Sequence, residues 1–150
     1  MNENNIEILN IQKLNISTFN NKILNNVSLK IHKGEMIGLV GESGSGKSVT
    51  ALSILALLDE KAMKIDTGKI YLSNENILEK NEKEMQEIRG NKISMIFQEP
   101  MTSLNPVFTI GDQINEVHSI HNNLSRDEAN KLTISLLDKV NIPNPEISIK

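Results

Sequence analysis

Apolar and polar residues alternate loosely in "IEILNIQKLNIST" (6–18) and more clearly in "ILNNVSLKIHKGE" (23–35), through Val27, Leu29 and Ile31. A period of two belongs to a strand with one buried face, so both segments are expected to be strands of a half-buried sheet. "KGE" is a turn into "MIGLV" (Met36 to Val40), an unbroken apolar run of strand length. "SVTALSILALL" (Ser48 to Leu58) is apolar around most of its circumference, as a buried helix is. "DTGKIYL" (66–72) reads as a turn and another strand, and "NEKEMQEIRG" (81–90) as a short polar helix stopped by glycine. "KISMIFQ" (92–98) is a second apolar run. Met36–Val40 and Ile93–Gln98 are expected to be buried on both faces, as parallel strands are.

"EPMTSLNPVFT" (99–109) is an irregular loop punctuated by Pro100 and Pro106. A helix is expected over about 110–120. Another starts at Ser125, where Glu128 completes a capping box. Its Ala129, Leu132, Leu136, Leu137 and Val140 keep helical spacing on one face, and "NIPNPE" ends it. There is no internal repeat.

Between the first apolar run and the first apolar helix lies "GESGSGKS" (Gly41 to Ser48), which meets the pattern G-x-x-x-x-G-K-[ST]. Strand, glycine loop and helix is the context that makes this pattern a phosphate site. The chain must curl tightly with its N–H groups inward, and a Cβ at Gly44 or Gly46 would obstruct the curl or the phosphate. The helix then aims its dipole and free N–H groups at the same anion. Lys47 adds a point charge for the β- and γ-phosphates, and Ser48 a hydroxyl for Mg²⁺, which prefers hard oxygen ligands.

Composition narrows the rest. The 150 residues suffice for one ordinary domain, and 38% hydrophobic with 23% charged content is globular. A net charge of −3, with Arg89 and Arg126 the only arginines and no basic cluster, argues against nucleic acid. The absence of cysteine removes disulfides, thiolate metal sites and cysteine nucleophiles. No apolar run approaches membrane-spanning length and the start lacks a signal-peptide pattern. His118 and His121 stand three apart on an expected helix, but no third ligand accompanies them, so an exposed helix face is the reading taken.

"GLVGESGSGKSVTALSIL" together with "ISMIFQEPMTSLNPVFTIGDQI" closely resembles the ATP-binding subunit of ABC importers, in the oligopeptide, dipeptide and nickel branch. The resemblance runs from about residue 6 to 146. It implies an α/β P-loop NTPase fold of the ABC type. An antiparallel β subdomain would take about 1–35 and 66–80, the P-loop core 36–58 and 92–98, and the start of a helical subdomain 109–150. It implies ATP and Mg²⁺ as cofactors, bound through Gly41, Glu42, Ser43, Gly44, Ser45, Gly46, Lys47 and Ser48. Gln98 matches the glutamine that reaches Mg²⁺ and the attacking water, which makes Gln98 and Lys47 the catalytic candidates and Ser48 and Gln98 the metal candidates. Phe19 stands where the family places an aromatic that stacks on adenine. The loop Glu99–Phe108 matches the segment that couples to membrane-spanning permease subunits. A second nucleotide-binding subunit and, indirectly, a periplasmic or extracellular solute-binding protein are the other implied partners. The implied location is the cytoplasmic face of the cell membrane.

Within these 150 residues there is no LSGGQ-type signature, no Walker B strand ending in Asp-Glu, no D-loop and no switch histidine. Asp59 and Asp138 both close apolar runs that read as helix. The sequence is therefore expected to be the front part of an ATPase, unable to hydrolyse ATP by itself. It is also expected to be only marginally stable, because strands buried on both faces lack a neighbour. A small-molecule kinase would bring more arginines to the phosphate. A GTPase would carry N-K-x-D, but "NKIS" at Asn91 and "NKLT" at Asn130 lack the acid. A non-catalytic nucleotide-binding or interaction module remains the alternative.

Overall fold

The alternating segments form long strands. β1 (Glu7–Thr18) and β2 (Lys22–His32) make a hairpin, and β3 (Met63–Leu72) pairs antiparallel with the other edge of β1. A short β4 (Glu75–Asn76) closes the order β2-β1-β3-β4. This computed structural model describes residues 6–98, 103–122 and 124–150. They divide into two compact units, Met1–Arg89 and Gly90–Lys150.

In the first unit Leu9 faces Ile31 and Leu72, Ile11 faces Leu29 and Ile70, and Ile16 faces Leu24 and Ile65. The alternation of β1 is loose for a physical reason. The ladder shifts register between Ile11 and Leu14, where Lys13 takes φ 47. One extra residue there returns Leu14 and Ile16 to the face already occupied by Leu9 and Ile11. All four are buried. Gly68 makes the bulge possible: its φ is 115, and a Cβ would lie 2.6 Å from the Leu14 Cα. Ile70, Ile77, Met85 and Ile88 complete this buried set, each contributing roughly 1.5–3 kcal/mol by leaving water.

α1 (Lys47–Ile54) is shorter than the expected 48–58. Ala56 turns left-handed at φ 50, and the Leu57 N–H reaches back to the Leu52 carbonyl at 3.0 Å, a helix-ending arrangement. Its buried positions are Thr50 and Ser53 rather than a continuous apolar surface. A 3-10 turn (Ile77–Glu79) leads to α2 (Glu82–Ile88), capped by Asn81 and Glu84 and followed by Gly90 at φ 80.

The two expected buried strands are not strands here. Met36–Val40 joins no ladder, and Met36 and Val40 are 97% and 95% exposed. Lys92–Gln98 has only an isolated bridge at Ile93, and Ile96 is 92% exposed. A strand buried on both faces needs neighbours at both edges and layers above and below. Among the described residues no strand pairs with Met36–Val40, and Lys92–Gln98 has nothing beyond that bridge.

In the second unit α3 (Ile110–Asn122) packs on α4 (Arg126–Lys139), and a single turn, α5 (Pro145–Ser148), follows. The capping box at Ser125 and Glu128 is formed. The buried face of α4 is Ala129, Thr133 and Leu137: of the expected stripe Ala129 and Leu137 are covered, whereas Leu132 and Val140 are 37% and 66% exposed. A polar contact sets this rotation. Buried Asn115 donates to the Asn130 side-chain oxygen at 2.6 Å and accepts from the Thr133 hydroxyl at 2.6 Å. Gly111 lies where a Cβ would run into the carbonyl of Ile149, so α5 packs close against the start of α3.

Candidate functional site

Gly41–Ser48 forms a tight loop entering α1. The Glu42 carbonyl accepts from the Ser45 N–H at 3.2 Å, closing a turn. Gly44 (φ 80) and Gly46 (φ 90) both occupy the left-handed region, where a side chain is strained. At Gly46 a Cβ would also collide with the Leu24 side chain and stand 3.3 Å from the Ile23 carbonyl. β2 therefore backs the loop directly. Leu24 as a supporting residue was not legible from the sequence, because the contact joins segments twenty-two positions apart.

No side chain caps α1, and its first turn holds no acid. The N–H groups of Gly44, Gly46, Lys47 and Ser48 make no hydrogen bond to another described residue. Four free donors at a helix start, with the dipole behind them, are what an anion needs. Lys47 folds back over the loop: its Nζ donates to the Gly41 and Glu42 carbonyls, both at 2.7 Å, and to Ser45 Oγ at 3.2 Å. Glu42, Ser43, Ser45 and Ser48 are exposed.

Phe19 sits at the tip of the β1–β2 hairpin and is fully exposed. It borders a shallow cavity of about 390 Å³ with Thr18, Lys61 and Lys64. Because Gly46 abuts Ile23 and Leu24, Phe19 and the glycine loop share one end of the sheet. Gln98 is exposed and belongs to the second unit. A more enclosed cavity, about 550 Å³ between Ala56, Ile65, Ile77 and Met85, contains none of the expected site residues.

Of the expected coupling loop, Glu99, Pro100, Met101 and Thr102 lie outside the described residues. Among the described residues Leu104, Val107 and Phe108 are 55%, 83% and 59% exposed. A cavity of about 520 Å³ opens between Leu104, Phe108, Ile114, Val117, His118 and Leu136. The expected exposed face at His118 and His121 is corrected: both are half-buried, and His118 Nε2 is buried without a partner among the described residues. No cluster of three metal-ligating side chains occurs among the described residues.

The ABC transporter family model matches residues 24–148. This chain belongs to the ABC transporter family. It is 50% identical over 125 residues to a probable peptide ABC transporter ATP-binding protein of Sinorhizobium fredii, covering 83% of this chain and 37% of that protein. It is 48% identical over 141 residues to a probable D,D-dipeptide transport ATP-binding protein of Escherichia coli, covering 91% and 43%. It is 42% identical over 148 residues to a dipeptide transport ATP-binding protein of Bacillus subtilis, covering 96% and 44%. The chain thus spans about two fifths of the length of these ABC transporter relatives. A dimeric post-hydrolysis ATP-binding cassette bound to ADP and Pi superposes with a TM-score of 0.78 at 23% identity, over 95% of this chain and 60% of that one. The cassette fold implied by the glycine loop and the segment after Gln98 is the fold found.

Proposed function

We propose that this chain is the ATP-binding component of a peptide or nickel importer, holding the nucleotide's phosphates on Gly41–Ser48. The observation that supports it is the loop itself, with two left-handed glycines and four N–H groups that bond no other described residue, before an uncapped helix. The cradle suits a polyphosphate: a Cβ at Gly41 would lie 2.7 Å from Ser45 Oγ and narrow it. Glu42, Ser43 and Ser45 contribute backbone, Lys47 a charge, and Ser48 an exposed hydroxyl for Mg²⁺, with Gln98 as a further oxygen ligand. Bound Mg²⁺ neutralises charge on the phosphate oxygens. Phe19 offers a free π face to adenine.

The relatives' names for peptide and dipeptide transport favour a peptide cargo over nickel. Among the described residues no helix is long and apolar enough to cross a membrane. As the resemblance implies, the chain would reach the cytoplasmic membrane face by docking its Glu99–Phe108 loop on permease subunits, beside a second nucleotide-binding subunit. A solute-binding protein would select the cargo from outside. ATP hydrolysis in such machines rests on positioning and electrostatics at the γ-phosphate. With no signature, Walker B acid or switch histidine in the sequence, these 150 residues alone are expected to bind Mg-ATP weakly and not to turn it over. The missing motifs favour the second reading, a non-catalytic nucleotide-binding or interaction module, for the isolated chain. Calorimetry with Mg-ATP, alongside phosphate release against a Lys47→Ala control, tests both. Sustained turnover above that control overturns the non-catalytic reading, and no detectable binding overturns the phosphate site. Uptake of labelled dipeptide against nickel by the whole transporter decides the cargo.

A further inference from the structure

Gln113 lies in the first turn of α3, and its side chain turns back onto the loop before the helix. Its Oε1 accepts from the Asn105 N–H at 2.9 Å. Its Nε2 donates to the Asn105 carbonyl at 3.0 Å and the Phe108 carbonyl at 3.1 Å, with a longer bond to Thr109 at 3.4 Å. One primary amide thus pairs with both main-chain groups of Asn105, as a neighbouring strand would. Asn105 in turn accepts from the Val107 N–H at 3.0 Å through its side chain, and its carbonyl accepts from the Phe108 N–H at 3.3 Å. The anchor is itself fixed: the Gln113 N–H bonds the Thr109 carbonyl at 3.2 Å, and the Thr109 hydroxyl exchanges hydrogen bonds with Asp112 at 2.9 and 3.0 Å. A loop ordinarily samples many shapes, at a cost of roughly 1–2 kcal/mol per residue to fix. Here the amide of one helical side chain fixes Asn105–Phe108 while Leu104, Val107 and Phe108 stay exposed.

We infer that Gln113 is a positioning residue, pre-ordering the Leu104–Phe108 loop so that its three apolar side chains meet a membrane-spanning subunit with little left to order. The inference rests on the docking reading given above. Leucine at this position keeps the helix and the bulk but has neither donor nor acceptor. Glutamate can still accept from Asn105 but cannot donate to the carbonyls. The test has two arms on the full chain. In amide exchange followed by NMR, Gln113→Leu speeds the Asn105 amide by about tenfold or more and Gln113→Glu by less, while Ala129 and Leu137 keep their protection. In cells, a photoreactive benzoylphenylalanine at Val107 crosslinks to a polytopic membrane protein identified by mass spectrometry. That yield falls about fivefold in Gln113→Leu, and the affinity for Mg-ATP does not change. Unchanged Asn105 exchange in both variants overturns the clamp. Faster exchange with an undiminished crosslink overturns its role in docking. No membrane-protein crosslink even with Gln113 intact, while Asn105 exchange responds as expected, overturns the docking reading and the positioning role with it, leaving the clamp as local structure.

Discussion

Lys47 has two sets of partners to choose between. Without nucleotide its Nζ is held by the Gly41 and Glu42 carbonyls, and a phosphate must compete with both. A hydrogen bond to a charged group is worth about 1.5–3 kcal/mol, but only the excess over those carbonyl bonds reaches the binding constant. Lys47→Ala is therefore expected to weaken Mg-ATP by about tenfold, near the low end of that range. Equal affinities by calorimetry remove Lys47 from the site. Gly46→Ala is expected to be worse for the fold. At φ 90 a Cβ is strained by roughly 1–2 kcal/mol, and here it also meets Leu24. Urea unfolding should show Gly46→Ala less stable than Lys47→Ala. If the two match, the Leu24 contact does not constrain the loop.

Arg89 acts at the scale of elements. Its Nε donates to the Leu55 carbonyl at 2.7 Å and its Nη2 to the Ala56 carbonyl at 3.1 Å, covering the C-terminal end of α1. Its other face pairs with both carboxylate oxygens of Glu82 at 2.6 and 3.2 Å, on α2. One guanidinium thus ties the phosphate-loop helix to the next helix in the chain. A lysine cannot reproduce that fork. Arg89→Lys should destabilise the chain by about 1 kcal/mol, because the part-buried Leu55 carbonyl loses a charged hydrogen bond while the exposed Ala56 carbonyl can turn to water. Exchange at the amides of α1 should rise more than at those of α4, and a uniform rise would show that the tie is not local. Counting arginines in the sequence could not find this role, which depends on how the chain returns to α1.

At the scale of the molecule, acid and apolar exposure set the limits of stability. Glu7, Glu35, Glu82 and Glu128 are all held below the ordinary carboxylate value of 4.5. The leading causes are hydrogen bonds from Lys30, the His32 N–H, Arg89 and the Ser125 hydroxyl, respectively. A carboxylate depressed in the folded state contributes stability that is present above 4.5 and lost as pH falls through its folded value. Lys80 is raised above 10.5 by Glu75, so its contribution is present below 10.5 and lost at still higher pH. Unfolding free energies should hold from pH 6 to 9 and fall at about pH 4 and below. Stability that rises on acidification contradicts these pairings. The open backbone of Met36–Val40, with apolar side chains exposed, is a template for another strand. The isolated chain is expected to associate or bind an apolar dye, and a dye-silent monomer with a sharp thermal transition by sedimentation and calorimetry would refute this.

The local signals were sufficient where the physics is local. The left-handed glycines of the loop, the capping box at Ser125, the strands at 7–18 and 22–32 and the helix at Ile110 all depend on residues a few positions apart, and all are formed. The loop's backbone was legible too, since left-handed conformation at Gly44 and Gly46 follows from the residue type. Tertiary structure decided what depends on distant partners. The bulge at Lys13 needs Gly68, the rotation of α4 needs Asn115, and the loop before α3 takes its shape from Gln113. Met36–Val40 and Ile93–Gln98 carry the composition of buried strands, but a strand exists only by pairing, and apolar composition cannot supply the partner.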